Sequence, residues 1–122
     1  MIIGTPKEIK NHEYRVGLTP ESAAELISRG NKVVVETGAG LGIGATDADY
    51  VERGAQIVPD AAAVFGESEM VVKVKEPQAN ERKMLRKDQI LFTYLHLAAD
   101  EPQTRDLLDA SVIGIAYETV TD

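Results

Sequence analysis

Short apolar runs rich in β-branched residues alternate along the chain with amphipathic stretches. The runs are Ile2-Ile3, Lys32 to Glu36 around Val33-Val34-Val35, Gln56 to Val58, Met70 to Lys75, Gln89 to Leu95 and Ser111 to Tyr117. Each reads as a strand, and the uninterrupted valines of the second mark a central one. Between them lie helix signals. Thr19-Pro20 opens a helix with Thr as N-cap and Pro at the first helical position, Ala23, Ala24, Leu26 and Ile27 form its stripe, and Gly30 ends it. Thr46 or Asp47 caps a short helix to about Arg53, closed by Gly54. Asp60 caps a third helix carrying Val64 and Phe65, ended by Gly66. Asn80 to Arg86 reads as a short helix, and Glu101-Pro102 starts one bearing Leu107 and Leu108. Strands alternating with helices predict an α/β fold, a mainly parallel twisted sheet with helices on both faces.

The Met70 strand breaks its own pattern. Val72 and Val74 point to one face, and Val71, Lys73 and Lys75 to the other. A strand covered on both faces should be nearly all apolar, yet its last odd positions are cations. Either both lysines reach past the strand end to water, or they stand at the carboxyl edge, where open α/β sheets bind ligands.

Three other places carry chemistry. Lys7 to Gly17 is a charged stretch with little helical period, held to the body by Ile9, Tyr14 and Val16, and it contains Arg15. Loops of that length are functional or disordered. His96 follows an apolar strand, either as a hydrogen-bonded core residue or as a proton carrier near neutral pH. Glu118 follows the last strand and reads as a solvated acid, with a ligand to substrate or cation as the alternative. Lys75, His96 and Glu118 share the carboxyl edge of one sheet, and Arg15, after the first strand, emerges there too. That set suits a small carboxylate with a reactive carbonyl or amine. Arg grips the carboxylate, Lys polarises the carbonyl oxygen and His moves protons.

Gly40-Leu41-Gly42-Ile43-Gly44-Ala45 fits a dinucleotide fingerprint, with Asp60 as the acid downstream. The long loop before the helix, the shortness of that helix and Pro59 ahead of the acid favour a flexible structural loop instead. With 122 residues, one domain is expected. A net charge of −7 argues against nucleic acid and anionic membrane as partners. No cysteine is present, so disulfides and thiolate sites are excluded. No apolar run approaches the roughly 18 residues of a membrane span, and a charge at Lys7 comes too early for a signal-peptide core. A cytoplasmic location follows by default. His12 and His96 are the only histidines, which leaves metal binding with little support.

Several blocks in order complete the reading: Gly4-Thr5-Pro6-Lys7-Glu8, Asn11-His12-Glu13-Tyr14-Arg15-Val16, Leu18-Thr19-Pro20, Lys73-Val74-Lys75-Glu76-Pro77, Leu95-His96-Leu97-Ala98 and Ala116-Tyr117-Glu118-Thr119. End to end, the chain resembles the N-terminal part of bacterial alanine dehydrogenases. Proton-translocating transhydrogenases share the Arg15 block and the glycine loop but lack the Leu-His-Leu-Ala-Ala block and the Lys-Val-Lys-Glu-Pro ending. They are the first alternative, and a non-catalytic carboxylate-binding α/β module is the second. The resemblance implies a Rossmann-like or flavodoxin-like substrate domain and NAD-dependent, reversible deamination of L-alanine to pyruvate and ammonia. It implies that Arg15 and Lys75 hold the substrate and that His96 is the general acid/base. In some members Glu118 would help bind magnesium. It further implies a homo-oligomer, a hexamer. Residues 1–122 would be the N-terminal portion of a discontinuous substrate domain, with the NAD-binding domain and a returning C-terminal segment outside this chain. No residue here would bind the cofactor, and the chain alone is expected to be inactive.

Overall fold

A computed structural model describes residues 1–9, 13–75, 77–93 and 113–116. The apolar runs become β1 (Ile2–Thr5), β2 (Lys32–Glu36), β3 (Gln56–Val58), β4 (Met70–Val72), β5 (Ile90–Thr93) and β6 (Ile113–Ala116). The helices are α1 (Pro20–Ser28), α2 (Asp47–Glu52), α3 (Ala61–Glu67) and α4 (Ala79–Arg82). All the strand pairs are parallel, in the order β3-β2-β1-β4-β5-β6. This is the doubly wound, Rossmann-like order, which reverses between β1 and β4.

The faces follow from strand alternation. Val33, Val34 and Val35 are almost wholly buried. Val33 and Val35 join Ile3 and Val72 under Ala23 of α1 and Tyr50 of α2. Val34 turns the other way, to Val58 and to Val64 of α3. Val71 and Leu91 pack with Phe65 and Leu85 in another cluster. Each such valine or leucine contributes about 1.5–3 kcal/mol by leaving water. The expected caps form: Thr19 accepts from the Ser22 N–H, Thr46 from that of Asp49 and Asp60 from that of Ala63.

Several boundaries differ from the pattern. β4 ends at Val72, short of Lys75. The Lys73 N–H still reaches the Phe92 carbonyl on β5, but the Val74 and Lys75 N–H groups turn to the Glu8 carboxylate instead. α4 starts at Ala79 and ends at Arg82 rather than at Arg86. The Glu81 carboxylate accepts from the Gln78 N–H, and i→i+3 bonds tighten the chain beyond it. α3 runs through Gly66 to Glu67, with Ser68 at its C-cap. In the Lys7 to Gly17 stretch, Val16 is buried, but Ile9 and Tyr14 are exposed at 47% and 65% and are not part of the core. The glycine loop is structured: residues Leu41–Ile43 form a 3₁₀ turn. The expected helix from Glu101 lies outside the described residues.

Tyr50 ties the two helices of one face together. Its ring is buried, and its hydroxyl donates to the Leu18 carbonyl at 2.7 Å. Burial pushes the phenol up to about 12, so it stays a donor at any ordinary pH. Tyr50→Phe should lower stability by about 1–2 kcal/mol, by stranding a buried carbonyl. Urea midpoints measure this; an unchanged midpoint would mean that the carbonyl finds another partner.

Candidate functional site at the strand switch point

The switch point between β1 and β4 is framed by two loops, one leaving each strand. Thr5 closes β1 by donating its hydroxyl to the Val72 carbonyl at 2.8 Å. Three residues on, Glu8 folds back over the end of β4. One oxygen, Oε1, accepts from the Lys73 ammonium at 3.0 Å and from the Lys75 N–H at 3.2 Å. The other, Oε2, accepts from the Val74 N–H at 3.1 Å. Lys73 is 1% exposed, so its charge needs partners inside the protein. Glu81 is the second, with Oε2 3.2 Å from Nζ, within ion-pair distance but off hydrogen-bond alignment. Burial raises the Glu81 carboxyl above its ordinary range, against the opposing pull of Lys73.

Arg15 sits in the segment after β1, anchored by buried Val16 and Leu18. Its side chain is 61% exposed, with the guanidinium gripped by Glu13, whose side chain is 4% exposed. Arg15 Nε and Nη2 donate to the two Glu13 oxygens at 3.0 Å each, and the Arg15 N–H donates at 2.8 Å. The Arg15 side-chain hydrogen bond, foremost, holds the Glu13 carboxyl below the usual carboxylate range. The Arg15 N–H and the charges of Arg15 and Lys75 add to it, and partial burial opposes it.

A cavity of about 220 Å³ opens between the segment after β1 and the loop after β2, lined by Lys7, Glu8, Glu13, Tyr14, Arg15 and residues from Gly38 to Gly42. It is large enough for a small carboxylic acid and carries two cations. Lys75 is not on its wall. It is half-buried at the end of β4, held by Glu8 at its N–H and by the Thr93 hydroxyl at its carbonyl. A larger cavity, about 360 Å³, lies between the starts of α1 and α2. Glu21, Asp49 and Glu52 outnumber Arg53 around it, so it suits an anion poorly.

The structure places Arg15 in the segment after β1, held by Glu13, and Lys75 just past the end of β4, held by Glu8. His96 and Glu118 lie outside the described residues. Lys73 is no snorkelling residue, because its partners are internal. Glu8, Glu13 and Glu81 went unread in the sequence. A lysine on a buried strand position calls for acids, and Gln78-x-x-Glu81 is a capping pattern. Glu13 and Arg15 at i and i+2 share a side of an extended segment.

The glycine loop does not fit a dinucleotide. The helix after it is six residues long, and Asp47 and Asp49 fill its first turn. Asp49 accepts from the Thr46 N–H, and Asp47 accepts from the Thr37 hydroxyl and the Gly38 N–H. Those bonds hold the Asp47 carboxyl low, so a fixed negative charge stands where pyrophosphate would lie. Among the described residues no group of three or more His, Cys, Asp or Glu side chains is placed to hold a metal ion, and no helix is long and apolar enough to cross a membrane.

Glu8→Ala should cost about 3–5 kcal/mol, since it leaves a buried ammonium short of a partner and frees two strand-end N–H groups. A loss of under about 1 kcal/mol by denaturant titration would place water at Lys73. The two displaced carboxyls act with opposite sign on stability. Glu13 contributes stability that is present above its unfolded value near 4.5 and lost as pH falls through the lower folded value. Glu81 contributes stability that is present below 4.5 and lost as pH rises through the higher folded value. Relative to wild type, Glu13→Gln should therefore flatten the acid-side fall. Glu81→Gln should remove a decline on the side above 4.5. Urea midpoints from acid to neutral pH check both, and parallel wild-type and variant curves would contradict them.

Comparison with known proteins places this geometry. The model for the alanine dehydrogenase/PNT N-terminal domain matches residues 4–122. The chain is 54% identical over 121 residues to an alanine dehydrogenase of Halomonas elongata, covering 99% of this chain and 33% of that protein. It is 53% identical over 122 residues to an alanine dehydrogenase of Bacillus subtilis, covering 100% and 32%. A solved L-alanine dehydrogenase superposes with a TM-score of 0.94 at 53% identity, over 97% of this chain and 32% of that one. A transhydrogenase from Sinorhizobium meliloti superposes with a TM-score of 0.89 at 30% identity, over 95% and 34%. The chain spans about a third of the length of the curated relatives it matches. With its doubly wound sheet and the whole of its length after Ile3 matched, the chain belongs to the alanine dehydrogenase/PNT family, in the part that forms that family's N-terminal domain.

Proposed function

We propose that residues 1–122 form the N-terminal portion of a discontinuous substrate domain in an NAD-dependent L-alanine dehydrogenase. That enzyme interconverts L-alanine, NAD and water with pyruvate, ammonia and NADH. One observation carries the reading: a cavity of about 220 Å³, large enough for a small carboxylic acid, has Arg15 in its wall, and Glu8, which also lines it, holds the Lys75 N–H. The transhydrogenase reading is weaker, at 30% identity against 53%. In this proposal the enzyme is a cytoplasmic homo-oligomer.

NAD supplies the hydride-accepting chemistry, from a domain outside this chain. What these residues contribute is placement and charge. Arg15 is an immobilised guanidinium, and it fixes the substrate carboxylate with paired N–H groups. Lys75 donates to the carbonyl oxygen and steadies the charge that develops there as ammonia and water exchange at the carbon. Its backbone is clamped at both ends, so little reorganisation accompanies that charge. His96, in the segment after β5, takes and returns the protons of that exchange. Glu118 as a magnesium ligand remains part of the proposal and supplies no step.

In the complete enzyme, Lys75→Ala should lower kcat about 10²–10³-fold with little loss of stability. Near-wild-type kinetics would put Lys75 outside the site. His96→Ala should lower the rate about 10²–10⁴-fold and remove the near-neutral limb of the pH profile, while pyruvate binding by calorimetry survives. A profile of unchanged shape would assign the proton transfer to another group. Alanine-dependent NADH formation separates this reading from a transhydrogenase.

A further inference from the structure

The segment that carries Arg15 is seated at two glycine contacts, one on each side of it in sequence. Gly42, in the 3₁₀ turn after β2, lies against the backbone of Tyr14. A Cβ built on Gly42 would stand 2.1 Å from the Tyr14 carbonyl oxygen and 2.9 Å from its carbonyl carbon. Real Cβ atoms do not come so near, and a backbone atom is not a flexible side-chain end that can swing aside. Two residues past Arg15, a Cβ on Gly17 would stand 2.2 Å from the Val72 carbonyl oxygen at the end of β4. Gly42 takes no positive φ, so close approach and not backbone freedom is what excludes a side chain there. Its own turn is seated in turn: the Gly40 carbonyl accepts from the Ala45 N–H, and a Cβ on Gly40 would meet the ring of buried Tyr50.

We propose that Gly42 is a positioning residue for Arg15, and that the glycine loop, which looks like a nucleotide fingerprint, serves as the wall against which the carboxylate-binding arginine is set. The loop presses on Tyr14 from one side, the end of β4 receives Gly17 on the other, and Glu13 fixes the guanidinium between them through Nε and Nη2. The same loop lines the 220 Å³ cavity with Arg15. A side chain at position 42 moves the Tyr14 carbonyl, shifts Arg15 and leaves the nucleotide's site untouched. The inference rests on the reading of Arg15 as the substrate's carboxylate partner.

The test is a double-mutant cycle in the complete enzyme, with pyruvate and NADH as the varied substrates. Arg15→Lys should raise the pyruvate KM. Gly42→Ala should raise it about 10–100-fold, as misplacement of a binding group does, with the NADH KM unchanged. In the Arg15→Lys background most of the Gly42→Ala effect should vanish, because Gly42 acts through Arg15. Effects that multiply to within about twofold would overturn the inference, since independent sites add. A strong Arg15→Lys effect beside a silent Gly42→Ala also overturns it and leaves the function standing. A silent Arg15→Lys instead removes the carboxylate role and the inference with it. Gly66→Ala, where a Cβ meets nothing within 4 Å, is the control and should change neither KM. Should Gly42→Ala not fold, Ala45→Gly loosens the same turn without a new contact. It should raise the pyruvate KM alone, and an unchanged value there would overturn the inference.

Discussion

A lysine ammonium with 1% exposure, set between two carboxylates that are themselves buried, is the interaction on which the switch point depends. Taking such a charge out of water costs several kcal/mol, and only close partners offset it. Glu8 and Glu81 come from opposite ends of the sequence's first two-thirds, so Lys73 draws the loop after β1 and the cap of α4 onto the end of β4. The geometry decides more than the charge count. Glu8 also takes the Val74 and Lys75 N–H groups, which ends the strand there and fixes the backbone beneath Lys75. The cluster is better described as a device for shape than as a net source of stability, since an apolar filling of equal volume can match a buried ion pair.

The segment after β1 continues the same arrangement toward solvent. From Glu8 the chain passes to Glu13, where the partner is an exposed arginine rather than a buried lysine. The carboxylates thus follow a gradient: Glu81, in the driest place, is pushed toward its protonated form, and Glu13, beside Arg15 and Lys75, toward its ionised form. Arg15 stands in the cavity wall with Glu8 and Glu13 beside it, and Lys75 is held just past the end of β4. An incoming carboxylate therefore meets groups already oriented and largely spared the entropy of ordering.

How far this was readable in the sequence depends on range. The six strands, the caps at Thr19, Thr46 and Asp60, and the two covered faces are local matters of period and capping, and they were legible. So were Arg15 and Lys75 as a pair on one edge, because strand alternation puts successive loops there. The end of β4 was misjudged because a side chain 66 residues away in sequence takes the N–H that would have continued the ladder. Composition treats Glu8 as one more surface acid; only its contact with Lys73 distinguishes it. Gly42 shows the same limit in another form. A glycine spaced for phosphate and one spaced for a neighbouring carbonyl look identical until the neighbour is in place.

The central claim is that the cavity beside the segment after β1 receives a small carboxylate on Arg15. A crystal structure of the complete enzyme with pyruvate bound tests it most directly. The account predicts the pyruvate carboxylate at hydrogen-bond distance from Arg15 and its keto oxygen at Lys75 Nζ, with Glu13 still on Nε of Arg15 and the Glu8–Lys73 pair intact. Pyruvate seated elsewhere, with Arg15 bound to Glu13 alone, would contradict it.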